Sequence, residues 1–242
     1  MRVLVISDIH ANLAAFEAVL EDSKGEWDVI WFLGDLVGYG PDPNECIELL
    51  CEQEHFSLSG NHDWAYLGRL DLSTFNEDAR RAIRWTQEMI SEKNREYINE
   101  LGTLDEVAGF TLAHASPRHP VWEYILDEST AEINFEHFDG QVCLVGHTHV
   151  PIIYSQENEE VFSYSPTYDL TLDLRNSHRM IINPGSVGQP RDSDPRASYA
   201  ILDLDKMDWQ HHRVPYPIAE TQAKMRKHKM PSRLIIRLDY GW

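Results

Sequence analysis

The chain is short of cysteine, of basic charge and of long apolar runs, and each shortage removes a class of protein. Its three cysteines, Cys46, Cys51 and Cys143, form neither a CxxC pair nor an even framework. A disulfide scaffold and a thiolate zinc site are therefore excluded. Cys143 falls inside an apolar run, and Cys46 and Cys51 lie on or at the end of a helical one. All three are expected as buried thiols in a reducing cytoplasm. Lys and Arg number 21 against 40 Asp and Glu, a formal net charge of -19. Nucleic-acid backbones are held by clustered Lys and Arg, so that class of partner is not expected. An anionic substrate must instead be held by local metal charge, against the mean field of the protein. No apolar segment approaches the ~18 residues of a membrane span, so no membrane association is expected. The run from Met1 to Ile6 meets Asp8 too soon for a secretory leader.

What is present suits one α/β domain. The chain has 242 residues with 42% hydrophobic content, and shows no internal repeat, low-complexity stretch or linker. Residues 2–7 are a continuous apolar run, as in a strand covered on both faces, and Asp8 and His10 follow at once. Residues 11–22 place Leu13, Phe16, Val19 and Leu20 at helical spacing, with Asn12 as N-cap. Residues 28–33 are a second buried strand ending in Gly34-Asp35. Both strands of this β-α-β unit thus end in a carboxylate, and ligands of open α/β sheets gather at carboxyl ends. A helix over 44–53 and a short strand over 55–58 deliver Gly60-Asn61-His62-Asp63.

The stretch 64–101 is helical and charged, with Ala82, Ile83, Trp85 and Met89 on or near one face. It reads as an insertion between site-bearing strands, a wall or a lid. A hairpin over 106–113, turning at Gly109, leads to His114, and a helix over 130–138 precedes a buried strand over 141–145. That strand ends in Gly146-His147-Thr148-His149, two histidines whose rings share one side of an extended backbone. From Val150 the pattern becomes short β runs at 152–154, 161–165, 180–183, 198–203 and 209–214, expected as a second sheet packed on the first. A basic surface helix over 218–229 and a short helix after Pro231 complete the chain.

The polar residues at these strand ends fit a two-metal site. A single Asp-x-His or His-x-His arises by chance in loops. Five such segments, in order and each at a strand end, do not. Two divalent ions about 3.5–4 Å apart can share a hydroxide and clamp a phosphoryl group. Asp35, flanked by Gly34 and apolar residues, is the best bridging carboxylate. Imidazoles suit Zn, Fe, Ni and Mn. His62 directly follows Asn61; it is better placed to touch substrate, stabilising charged oxygens or protonating a leaving group. The other histidines (His55, His119, His137, His178, His211, His212 and His228) are expected at the surface or in packing, with His119 retained as a substrate contact because it follows His114 in a loop.

Asp8-Ile9-His10, Gly34-Asp35, Gly60-Asn61-His62-Asp63, His114 and Gly146-His147-Thr148-His149 resemble the calcineurin-like metallophosphoesterase family, and 182–186 (Ile-Asn-Pro-Gly-Ser) extends the likeness. The resemblance implies two mixed β-sheets packed as a sandwich and flanked by helices, α/β/β/α in layers, with the site at one sheet edge. It implies one ion on Asp8, His10, Asp35 and His149, a second on Asp35, Asn61, His114 and His147, and His62 as the catalytic histidine. The ions would be Mn, Fe, Zn, Ni or Mg. The chain looks most like small bacterial or archaeal phosphoesterases, some related to dinucleoside-polyphosphate hydrolases.

The protein phosphatases of this superfamily carry an Asp-Arg pair where Gly38 and Tyr39 stand here. Small phosphoesters (phosphodiesters, phosphomonoesters or nucleotide polyphosphates) are therefore expected as substrates ahead of phosphoproteins. Ala115 follows His114 where many relatives have Gly; Ala is also small. The competing reading is a non-catalytic scaffold, as in a retromer subunit that lost the catalytic histidine; here His62 and every ligand position are intact. Substrate contacts are sought in Tyr39, Arg118, His119 and Arg191, with Arg196 beside them. Tyr39, Trp64, Tyr66, Trp122 and Tyr124 either stack on a base or pack. Oligomeric state leaves no mark on the sequence.

Overall fold

The computed structural model describes residues 1–175 and 178–242. In chain order the strands are β1 (Arg2–Ile6), β2 (Val29–Phe32), β3 (His55–Ser57), β4 (Leu104–Val107), β5 (Phe110–Ala113), β6 (Val142–Leu144), β7 (Ile152–Glu157), β8 (Glu160–Tyr164), β9 (Thr171–Asp173), β10 (Arg179–Asn183), β11 (Ala197–Asp203) and β12 (Asp208–Val214). The helices are α1 (Leu13–Asp22), α2 (Pro43–Cys51), α3 (Asn61–Tyr66), α4 (Glu77–Met89), α5 (Glu92–Glu100), α6 (Glu128–Phe135), α7 (Ile218–Lys227) and α8 (Ser232–Ile236).

The strands form two six-stranded mixed sheets, ordered β3-β2-β1-β11-β12-β9 and β4-β5-β6-β10-β7-β8. In the first, β1, β2 and β3 run parallel and β11, β12 and β9 antiparallel. In the second, β5, β6 and β10 are parallel. Alternation along β1 explains the layering. Val3 and Val5 face the second sheet and pack with Trp31, Phe110, Leu112, Leu144 and Ile182. Leu4 and Ile6 face outward under Phe16 and Val19 of α1 and Ile47 of α2. On the far side, Ala131 and Phe135 of α6 cover Cys143 and Ile181. The layers are therefore α/β/β/α.

Local chemistry sets the element ends. Asn12 caps α1 by accepting from the Ala15 N–H, and Asn76 and Asp127 do the same for α4 and α6. Ala108 and Gly109 both take positive φ in the two-residue turn joining β4 to β5, the geometry that matches hairpin twist.

Several expectations need correction. The short β runs after Val150 do not make a sheet of their own: β7, β8 and β10 join β4–β6, while β11 and β12 add to the first sheet beside β1. The second sheet therefore begins at β4. Strand β9 gave no sequence signal; three residues pairing only with β12 are too short for a period. On α4 the buried face is Ala79, Ala82, Ile83 and Thr86, whereas Met89 is exposed, because the helix ends there. Cys51 is exposed at the end of α2, while Cys46 and Cys143 are buried. Helix α7 is not merely a surface helix, since Thr221, Gln222 and Met225 are buried against α8 and α1. Among the described residues no helix is long and apolar enough to cross a membrane.

Candidate metal centre

The parallel strands β1, β2, β3, β5, β6 and β10 end on the same side of the sandwich, and their following loops converge. The site therefore lies at the carboxyl ends of these parallel strands, from the edge strand β3 inward. Asp8, His10 and His149 form one group of possible metal ligands, and Asp35, His114 and His147 another; within each, the ligand atoms lie within 4.8 Å of one another and all are buried. The groups adjoin: His10 Nε2 is 3.6 Å from an oxygen of Asp8 and 3.6 Å from one of Asp35, and His114 Nε2 is 3.4 Å from Asp35. Asn61 joins the second group, its Oδ1 3.2 Å from His114 Nε2.

The surrounding backbone turns these side chains inward. Asp8, His10, Asp35, His147 and His149 all have positive φ, which costs roughly 1–3 kcal/mol at each non-glycine residue. The strain persists because the loops are tied together. Asp8 N–H donates to the Gly34 carbonyl, His10 N–H to that of Asp35, and Gly146 N–H to that of His114. Asp63, to which the sequence reading gave no role, is the main tie. Its carboxylate accepts from the backbone N–H groups of Asp35, Leu36, Val37 and Gly60 at 2.9–3.2 Å. Burial and the charge of Asp35 raise its pKa to about 6. Asp63 sits three residues after the N-cap Gly60, where an acidic residue reaches back to cap a helix. That spacing was the signal available.

Orphaned lone pairs show what these residues fit. His10 Nδ1 faces the Val37 carbonyl at 3.0 Å, His114 Nδ1 that of Leu33 at 2.9 Å, and His149 Nδ1 that of Gln189 at 2.6 Å. A carbonyl only accepts, so each Nδ1 carries a proton and, in the neutral ring, Nε2 presents a lone pair. Yet His10 Nε2 and His149 Nε2 face each other at 3.1 Å. The carboxylates repeat the pattern. Asp8 Oδ2 accepts from the His147 N–H and Asp35 Oδ1 from the His62 N–H. Asp8 Oδ1, Asp35 Oδ2 and His147 Nε2 are buried with no hydrogen-bond partner among the described residues. Unpaired buried acceptors are costly. Converging ones, with each imidazole oriented by a carbonyl behind it, are the arrangement of a metal centre.

The titration shifts agree. Burial lowers His149 to about 4, with the Arg191 charge adding to it, and lowers His147 to about 3, with His114 adding to it. Both are neutral rings at pH 7, as ligands must be. Burial acts to lower His114 as well, but Asp35 beside it pushes it up to about 9. Burial acts to raise Asp8 and Asp35, but the neighbouring histidines hold both below the usual carboxylate range. Metal binding would displace the His114 proton and satisfy the same carboxylate.

His62 stands beside this centre. Its ring packs on Tyr39 (4.3 Å between centroids), His10 (4.8 Å) and Phe75 (5.2 Å). Nδ1 is buried without a partner, and burial holds the ring's pKa well below its usual value. Beside the centre lies a cavity of about 660 Å³ lined by Tyr39, Asn76–Asp78, Tyr124 and Arg191, and by Arg233, Leu234, Arg237 and Trp242 near the end of the chain. Tyr39 covers His10 and His62, and Tyr124 stacks on His147 at 3.9 Å. The helical stretch after β3 thus lines this cavity through Asn76 and the start of α4, and its Phe75 packs on His62.

The remaining expected substrate contacts divide. Tyr39 and Arg191 line the cavity, with the Arg191 guanidinium over the Tyr39 ring. Arg118 does not join them, because its guanidinium pairs with Glu123, which Ser116 and Asn134 hold in place. Arg196 is likewise taken by Asp194. His119 is exposed, its backbone N–H on Ser116 Oγ, and it is not among the cavity-lining residues. Trp64 and Tyr66 pack, whereas Trp122 meets Phe75 edge to face beside the site. Sequence reasoning missed Arg233 and Arg237, which reach the cavity from α8 and the turn after it.

The chain belongs to the calcineurin-like phosphoesterase superfamily, whose domain pattern matches residues 1–207. The family is one of phosphoester hydrolases. The chain is 38% identical over 245 residues to the uncharacterized protein MJ0912 of Methanocaldococcus jannaschii, covering 99% of this chain and 98% of that one. It is 26% identical over 218 residues to phosphodiesterase YfcE of Escherichia coli K12, covering 85% and 89%. A metallophosphoesterase from Sphaerobacter thermophilus has a crystal structure that superposes with a TM-score of 0.91 at 48% identity, covering 100% and 99% of the two chains.

Proposed function

We propose that the protein hydrolyses small phosphoesters at a dinuclear metal centre. One ion would be held by Asp8, His10, Asp35 and His149, the other by Asp35, Asn61, His114 and His147. The observation that carries this reading is the convergence of unpartnered buried acceptors, Asp8 Oδ1, Asp35 Oδ2 and His147 Nε2, on one point of the fold. Metal chemistry at such a site lowers the pKa of water toward neutrality and neutralises phosphoryl oxygens. Asp35 is the shared ligand, since His10 and His114 approach the same oxygen, Oδ2.

The protein's own groups complete the site. Among the described residues His62 has no hydrogen-bond partner for its ring, and it is 4% exposed. It contributes a hydrogen bond or proton to the leaving-group oxygen. Tyr39 and Tyr124 exclude water from the two ligand groups, and Arg191 balances phosphate charge at the cavity mouth. Gly38 and Tyr39, in place of an Asp-Arg pair, favour small phosphodiesters or nucleotide polyphosphates over phosphoproteins. The net charge of -19 acts in the same direction by repelling acidic phosphopeptides and nucleic-acid backbones at long range.

The test is kcat/KM on p-nitrophenyl phosphate, its bis ester, a dinucleoside tetraphosphate and a phosphopeptide, with metal content measured on the same sample. A phosphopeptide preferred by more than ~10-fold, or ~1.4 kcal/mol of transition-state binding, overturns the substrate reading.

A further inference from the structure

We propose that Arg191, Arg233 and Arg237 form a second phosphate subsite beside the metal centre, so that the preferred substrate carries a further phosphate besides the one attacked. This rests on the phosphoesterase reading above. The three side chains line one cavity, whose Tyr39 and Tyr124 rings pack on His10 and His147. Arg191 lies within residues 1–207, the part matched by the family pattern, and Arg233 and Arg237 lie beyond it.

What sets these three apart is that all of them reach one cavity beside the ligand groups. Arg118, Arg175, Arg196 and Arg213, elsewhere on the protein, each pair with a carboxylate. Among the described residues, Arg191, Arg233 and Arg237 pair with none, although Glu77 and Asp78 line the same cavity. Arg191 donates to Gln189 Oε1 at 3.0 Å and reaches Tyr39 Oη at 3.5 Å, but its Nε is buried without a partner. Arg237 donates through Nε to the Trp242 backbone oxygen. Burial, with Arg191 next, lowers its pKa to about 10. Arg191 and Arg233 repel the Arg237 charge, Asp78 offsets only part of that, and a dianionic group among the three guanidiniums removes the rest. The planar guanidinium fork also matches a phosphate bidentately.

The ligand class is a polyphosphate: a nucleotide, with Trp242 on the rim facing its base, or an inorganic chain. Calorimetric titration of the Mn-loaded protein with inorganic pyrophosphate and with ADP tests the subsite. The variants are Arg233→Gln, Arg237→Gln and the double change. Arg233 is exposed, so Arg233→Gln removes charge without disturbing packing and keeps the test valid if Arg237→Gln folds poorly.

The double variant should weaken both ligands by roughly 10-fold or more, with a smaller loss for Arg233→Gln. In the same variants kcat/KM on p-nitrophenyl phosphate should stay within about twofold, since that substrate has no second phosphate to lose. Tighter binding of ADP than of pyrophosphate would identify a nucleotide and equal binding an inorganic chain, both supporting the subsite. Unchanged affinity in the variants, or an equal fall on p-nitrophenyl phosphate, overturns it. If the protein turns over no phosphoester yet binds pyrophosphate through these arginines, the hydrolase reading fails and the subsite stands. Turnover indifferent to the arginines gives the reverse.

Discussion

Gly38 runs directly against the ring of His62: at φ +89° a Cβ built there would lie 2.6 Å from His62 Nδ1. The protein phosphatases of the superfamily, from which this sequence departs here, place a carboxylate at that position. Here the ring is backed by bare backbone, and its orientation comes from packing on Tyr39, His10 and Phe75. His62→Ala should therefore lower kcat by ~10²–10⁴, the range for a lost general acid, with metal content unchanged. Gly38→Ala should displace the ring and lower kcat by ~10²-fold, as small misplacements do. Loss of metal from His62→Ala with turnover retained would assign His62 to the metal instead.

The Asp63 carboxylate gathers four backbone N–H groups, from Asp35, Leu36, Val37 and Gly60. Asp63→Ala leaves those donors buried and unpaired, and should cost roughly 3 kcal/mol or more in chemical denaturation. Asp35 is positioned by the same bonds, so metal affinity should fall ~10–100-fold. Asp63→Asn keeps one acceptor oxygen and should lie between. A variant as stable as the parent would show that the loop holds its strained backbone without Asp63.

The candidate ligand groups were legible because each of their residues follows an apolar run, and the rule that α/β sites gather at carboxyl strand ends needs no knowledge of sheet order. Sheet membership was not legible. Residues 198–203 carry the same short β signal whether they pair with β1 or with β10, and only the packed core decides. The arginines of the cavity failed for the opposite reason. Arg118, Arg191 and Arg196 look alike in sequence, and what separates them is a carboxylate close enough to pair. Arg233 and Arg237 lie far from every ligand in the chain, and only the packing of α8 against α7 and α4 brings them beside the site.

His211 is buried and locked in one tautomer. Trp209 Nε1 donates to its Nδ1 at 2.8 Å, and its Nε2 faces the Asn183 carbonyl at 3.1 Å. A second proton would have to enter at Nδ1, against the indole N–H. Burial lowers the pKa to about 4. The unfolded chain takes up this proton near pH 6.5 and the folded chain does not, so stability falls as pH drops from about 6.5 toward about 4. The loss should be roughly 2 kcal/mol by pH 5. Urea unfolding at pH 7 and pH 5 should show a pH dependence steeper by this amount in the parent than in His211→Gln. Equal slopes would mean that His211 titrates normally.

Metal should stabilise the fold as well as enable turnover, because it removes the repulsion among acceptors that meet at the site. His10 Nε2 and His149 Nε2 face each other at 3.1 Å, and Asp8 Oδ1 lies 3.1 Å from the same His149 nitrogen. At a free-ion level of 100 Kd each site adds about 2.7 kcal/mol, and about 1 kcal/mol moves Tm by ~2–4 °C in a chain of this length. Chelation should therefore lower Tm by several degrees and abolish turnover, and Mn should restore both. Asp35→Ala should lose both ions, since His10 and His114 converge on the same carboxylate oxygen, whereas His147→Ala should weaken one more than the other. Elemental analysis finding no metal in a chelator-treated sample that still turns over substrate would refute the dinuclear reading. A Tm indifferent to chelation would show that the unpaired acceptors are tolerated without an ion.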